Sequence, residues 1–73
     1  MEDVKEIRIS EKTIELCKLL KLGNMVNSGG QAKTLIAEGR VTVNGAVETR
    51  KGKQIVAGDV IELEGNKFRV IKN

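Results

Sequence analysis

The sequence predicts an α+β domain of 73 residues, with two short helices packed on a small, mostly antiparallel sheet. Three observations predict it. Two segments before residue 40 carry apolar residues at helical spacing and are punctuated by glycines. The chain after residue 40 alternates apolar and polar residues between turn dipeptides. A short alternating segment, Glu6-Ile7-Arg8-Ile9, precedes both.

Taken in order, residues 6–9 read as a half-buried strand. Ser10 offers an N-cap, with Glu11 in the first turn, where negative charge suits the helix dipole. The first helix is expected to run from there to about Lys21 or Leu22. Leu16, Cys17, Leu19 and Leu20 lie on one side of it, Glu15, Lys18 and Lys21 around the other, and Gly23 ends it. Residues 23–27 link to a second helix. Ser28 and Gln31 have capping-box spacing, Ala32, Leu35 and Ile36 recur at i, i+3 and i+4, and Gly39 closes the helix. Helices this short persist only when packed on something else.

The rest reads as strands. Val41 and Val43 share a face, and Asn44-Gly45 is the strongest hairpin signal in the chain. A short strand follows and runs into a basic turn at Gly52. Residues 54–71 hold three further apolar segments, with Gly58-Asp59 and Gly65-Asn66 as the turns between them. The last two, 60–64 and 67–71, form a hairpin, and the N-terminal strand is expected to join these C-terminal strands. Residues 1–73 are read as a single domain.

Composition excludes several classes of function. There is no histidine and one cysteine, so the chain has no imidazole base, no internal disulfide and no multi-ligand Cys/His zinc site. Cys17 sits among leucines, which points to packing. The carboxylates are scattered among basic residues without acid/base pairing, and no EF-hand or nucleotide-loop spacing occurs. Neither a signal-peptide pattern nor an apolar run of membrane-spanning length is present. The expectation is a cytoplasmic protein that is not an enzyme, with no cofactor, metal, membrane or small-molecule substrate. The oligomeric state is left open.

The net charge of +3 is unevenly placed. Residues 1–15 carry Lys5, Arg8 and Lys12 against Glu2, Asp3, Glu6, Glu11 and Glu15, a net −2. Residues 16–58 carry seven basic residues against Glu38 and Glu48, a net +5, and residues 59–73 balance. A basic middle favours a polyanion such as nucleic acid; a solvated face reads equally well from charge alone. Gly29 and Gly30 fall at the first two positions of the second helix, where they let a phosphate reach the backbone, with Lys33 and Thr34 one turn on. The alternative is that they merely shape the loop entry. With Phe68 as the sole aromatic residue, no stacking platform for splayed bases is available, so recognition of folded RNA by phosphates and shape fits better.

The run "SGGQAKTLIAEGRVTVNG", followed by "GDVIEL", resembles the S-four-type RNA-binding domain, also called the alpha-L motif. The match spans about residues 14–64. It includes Leu16 and Leu20 in the first helix, Ser28, Ala32, Leu35, Ile36 and Gly39 around the second, and Val41, Val43, Asn44, Gly45, Gly58, Asp59 and Ile61 beyond. With "ETRKG" present as well, the chain resembles the small stand-alone bacterial type of this family. The resemblance implies an RNA surface built from the start of the second helix: Ser28, Gly29, Gly30, Gln31, Lys33 and Thr34. Arg40 and Asn44 would follow on the strand, and Arg50, Lys51 and Lys53 on the basic turn. Many members carry arginine directly after the serine, where this chain has Gly29. Backbone approach, helped by the basic turn, would take the place of that side chain.

The implied function is non-catalytic binding of structured RNA such as ribosomal RNA, through phosphates, in ribosome assembly or translation. The alternative is a protein-interaction adaptor that uses the same basic face or a sheet edge.

Overall fold

The computed structural model describes residues 4–73. The expected charges of Glu2 and Asp3 lie outside the described residues. The elements are β1 (Val4–Ile9), β2 (Thr13–Glu15), α1 (Leu16–Leu22), α2 (Gly29–Ala37), β3 (Val41–Val43), β4 (Ala46–Val47), β5 (Gln54–Val56), β6 (Val60–Leu63) and β7 (Asn66–Lys72). Five strands form one sheet in the order β1-β7-β6-β3-β4, in which only β1–β7 is parallel. β2 and β5 form a separate antiparallel pair. The α+β plan and the union of the N-terminal strand with the last one are as the sequence implies.

Alternation along the strands sends one set of side chains to the core. Ile7 and Ile9 of β1, Ile61 and Leu63 of β6, and Phe68 and Val70 of β7 are buried together with Leu16, Leu19 and Leu20 of α1 and Ala32 and Ile36 of α2. Cys17 is partly buried against the same cluster. The opposite parity carries charge: Glu6 stands beside Arg69, and Glu62 beside Lys67.

The start of α1 corrects the sequence expectation. Ser10 is not its cap. Residues 13–15 are extended and pair with residues 54–56, as the β-branched pair Thr13-Ile14 favours, and the helix begins only at Leu16. No side chain caps it. Its first amides instead donate to backbone carbonyls across the fold, Leu16 N–H to Lys53 O at 2.9 Å and Cys17 N–H to Lys51 O at 3.2 Å. Gly23 does end α1, but for reasons of space. Its φ is −82°, and a Cβ there would lie 2.6 Å from Ile7 Cδ1.

α2 ends as expected. Gly39, at φ 75°, donates to Ile36 O and the next amide, Arg40, to Leu35 O, the paired bonds of a Schellman motif. In the β3–β4 hairpin Asn44 and Gly45 both have positive φ, 53° and 87°, as a type I′ turn requires. The last hairpin turns at Glu64-Gly65 rather than at Gly65-Asn66, because Asn66 already faces Leu63 in the ladder.

Asn44 also ties two turns together. Its amide nitrogen donates to Asp59 Oδ1 at 3.0 Å, and its side-chain oxygen accepts from Val60 N–H at 2.9 Å. Asp59 Oδ2 in turn accepts from Val56 N–H at 3.0 Å. Asn44→Ala is expected to lose about 1–2 kcal/mol in urea unfolding, since it removes both side-chain bonds and strains a positive φ. Asn44→Gly, which relaxes the backbone, should lose less.

Candidate nucleic-acid interface

The first group of sequence-expected residues lies together at the start of α2. Ser28 is extended (φ −152°, ψ 162°), and its Oγ accepts from Gln31 N–H at 3.2 Å. Gln31 Oε1 reaches back to accept from Asn27 N–H at 2.8 Å, one residue further than a capping box would have it. The helix therefore starts firmly without help from Gly29 or Gly30. A Cβ at Gly29 would meet nothing within 4 Å, and at Gly30 only Ser28 Oγ at 3.9 Å. Neither glycine has a positive φ. Nothing inside the fold requires glycine at these two positions, and their amides sit at the positive end of the helix. Lys33 is exposed on the next turn. Thr34 Oγ1 donates to Gly30 O at 3.1 Å, which leaves its lone pairs outward but commits its proton.

The second group lies on the turn at residues 50–53, closed by Lys53 N–H to Arg50 O at 3.2 Å. The carbonyls of Lys51 and Lys53 cap α1, so this basic turn is held against that helix. Arg50 is held by Glu48, whose two oxygens accept from Nε at 3.0 Å and Nη2 at 3.1 Å; Oε2 also takes the Arg50 N–H at 3.0 Å. The Glu48 side chain is only 12% exposed, whereas Arg50 is 73% exposed, so the carboxylate anchors and the guanidinium faces outward. The arginine side-chain bonds, and then its amide, push the Glu48 carboxyl down from 4.5 to about 2; the pairing raises Arg50 in return.

Two other expected residues are committed elsewhere. Arg40 contacts two carboxylates, Glu38 through Nε at 2.9 Å and Glu64 through Nη1 at 3.1 Å. Its charge is locally more than offset. The Asn44 side chain is spent on Asp59 and Val60. The contacts to Glu64 and Asp59 join residues distant in the chain, whereas Glu38 lies two residues before Arg40.

The two remaining groups flank α1, the turn at its N-terminus and the start of α2 beyond its C-terminus. Along a helix of seven residues those ends are about 10 Å apart. Lys18 and Lys21 are exposed on α1 between them, and Lys18 pairs loosely with Glu15 at 3.4 Å. Neither stood among the expected contact residues, although both belong to the basic middle segment. Exposed basic residues thus occur on α1, on the turn at its N-terminus and on α2, with Lys18 and Arg50 each paired to a carboxylate.

Comparison with known proteins agrees with this architecture. The family model described as S4 domain matches residues 7–71. A protein named "Putative RNA-binding protein YbcJ" from Escherichia coli (strain K12) is 53% identical over 58 residues, covering 80% of this chain and 83% of its own. A "Probable ribosome maturation protein RlbA" from Bacillus subtilis (strain 168) is 39% identical over 66 residues, covering 89% of this chain and 93% of its own. The solution structure of YbcJ from E. coli, described as revealing an alfaL motif involved in RNA-binding, superposes with a TM-score of 0.73 at 44% identity. That match covers 97% of this chain and 91% of the other.

The Glu48–Arg50 pair gives a pH test. A carboxyl with a folded pKa below its unfolded value contributes stability in full above about 4.5 and loses it as pH falls towards 2. In a carboxyl-carbon NMR titration Glu48 is expected to titrate near 2. A midpoint near 4.5 would show that the bridge does not form in solution.

Proposed function

The chain belongs to the S4 domain family, and on that premise we propose that it is a non-catalytic RNA-binding protein acting on structured RNA, ribosomal RNA above all, in the cytoplasm. The named relatives support RNA as the partner and ribosome maturation as the setting. The observation that carries the reading to particular atoms is the glycine pair. Gly29 and Gly30 occupy helical positions in open space, where alanine would fit and would favour the helix by up to about 1 kcal/mol each. Retaining glycine there makes physical sense if a ligand backbone comes within contact distance of the amides.

In this reading the Gly29 and Gly30 amides hold one phosphate at the start of α2, with Ser28 and Gln31 shaping the cap and Thr34 adding an acceptor. Lys33, Lys51 and Lys53 neutralise neighbouring phosphates. Glu48 holds Arg50 so that the outer edge of its guanidinium can take another in a fixed orientation. Lys18 and Lys21 extend this surface. Arg40, between two carboxylates, secures the last hairpin to the end of α2 and does not serve as a phosphate contact. Asn44 positions the β3–β4 hairpin without touching RNA through its side-chain oxygen. Many family members place an arginine where this chain has Gly29, and here the basic turn supplies that charge.

Gly29→Ala and Gly30→Ala separate folding from binding. Each is expected to raise the melting temperature by a few degrees, as a gain of about 0.4–1 kcal/mol implies for a domain of this size. Each should also weaken binding to purified bacterial ribosomal RNA several-fold in a filter assay. For about four phosphates neutralised, log affinity should fall against log salt with a slope of about −3. Unchanged affinity in both variants would remove the backbone contact, and a flat salt response would favour a protein partner over RNA.

A further inference from the structure

The open edge of the five-stranded sheet carries a pattern that RNA binding does not use. β1 is the edge strand, with β7 on one side and no strand on the other among the described residues. Ile9 O accepts from Asn73 N–H at 3.0 Å, so Ile9, and with it Ile7 and Lys5, turn their peptide groups towards β7. The peptide groups of Val4, Glu6 and Arg8 therefore point outward along the edge. β1 is six residues long and contains no proline, so the usual blunting of an edge is confined to its charged side chains. A groove of about 340 Å³ runs between this edge and the end of α1, lined by Glu6, Ile7, Arg8 and Leu22 among others. Leu22, an apolar residue, is 53% exposed there.

We propose that this edge pairs with β1 of a second copy of the chain, antiparallel about a two-fold axis at Ile7, so that two sheets become one. The charges select the partner and the register. With Ile7 opposite Ile7, Glu6 of each copy faces Arg8 of the other, twice by symmetry. These are hydrogen-bonded positions, because the outward peptide groups belong to the even-numbered residues, and each such pair exchanges two backbone bonds. A slip of one residue sets outward groups against inward ones and loses the ladder. A shift of the pairing by two residues sets Glu6 against Glu6 in one direction and Arg8 against Arg8 in the other. One register alone is both hydrogen-bonded and charge-matched. Four central backbone bonds with two exposed ion pairs make a small interface, one that associates at high micromolar rather than nanomolar concentration.

Arg8 is the clean test position, because its neighbour on β7 is the uncharged Ile71. Sedimentation equilibrium from about 10 μM to about 1 mM, a range suited to so small an interface, should show the wild-type chain passing from monomer to dimer. Arg8→Glu should raise the dissociation constant at least tenfold, since Glu6 of each copy then faces a second carboxylate. Combining it with Glu6→Arg should restore the dimer. A mixture of the two single variants should form heterodimers where neither associates alone, which also shows that both are folded. A wild-type chain that stays monomeric to 1 mM, or an Arg8→Glu variant that dimerises like wild type, overturns the proposal. If Glu6→Arg does not fold beside Arg69, the wild-type and Arg8→Glu measurements decide the matter alone.

Discussion

Two backbone hydrogen bonds hold this fold in its working arrangement: Leu16 N–H to Lys53 O and Cys17 N–H to Lys51 O. A helix start leaves amides without partners, and here a distant loop supplies the carbonyls that a side-chain cap would otherwise replace. The consequences spread in both directions. The bonds fix where α1 begins, which places Leu16, Leu19 and Leu20 in the core. They also press a turn rich in lysine and arginine against the helical layer, although among the described residues its strand, β5, pairs only with the three-residue β2. The lysines anchor the turn through their carbonyls, with the Lys51 side chain exposed and Lys53 half-buried.

What could be read from the sequence, and what could not, divides by sequence distance. Ser28, Gln31 and Gly39 act on residues within five positions, and the Asn44-Gly45 turn is a local backbone feature, so these roles are legible. The start of α1 was misplaced at Ser10 because the true partners of its first amides, the carbonyls of Lys51 and Lys53, lie far ahead in the chain. The turn at Glu64-Gly65 was set by the ladder that pairs Leu63 with Asn66, and Gly-Asn looks like a turn whatever the ladder does. Among the candidate contacts, Arg40 was counted for its charge, yet Glu38 and Glu64 both reach it. Asn44 was counted for its place in a family pattern, and the fold spends it on Asp59. The Glu48–Arg50 bridge was the exception, a local i, i+2 contact whose significance depends on Glu48 being covered.

The basic residues differ in how they are paired. Arg40 is paired with Glu38 and Glu64. Lys33 and Lys51 are exposed, Lys53 is half-buried, and Arg50 is oriented by the Glu48 carboxylate. The outer sheet face, by contrast, alternates signs, with Glu6 beside Arg69 and Glu62 beside Lys67. In the proposed reading a polyanion is drawn to the helical side rather than to the sheet side, and the open space at Gly29 and Gly30 lets a phosphate approach the backbone there.

The most direct test is an amide NMR titration of the labelled protein with a purified ribosomal RNA fragment. The amides of Gly29, Gly30 and Lys33 and those of residues 50–53 should shift together along one saturation curve, while Glu6, Glu62 and Arg69 stay in place. Shifts confined to the sheet face, with Gly29 and Gly30 unmoved at saturation, would contradict the assignment of the RNA surface to the helical side.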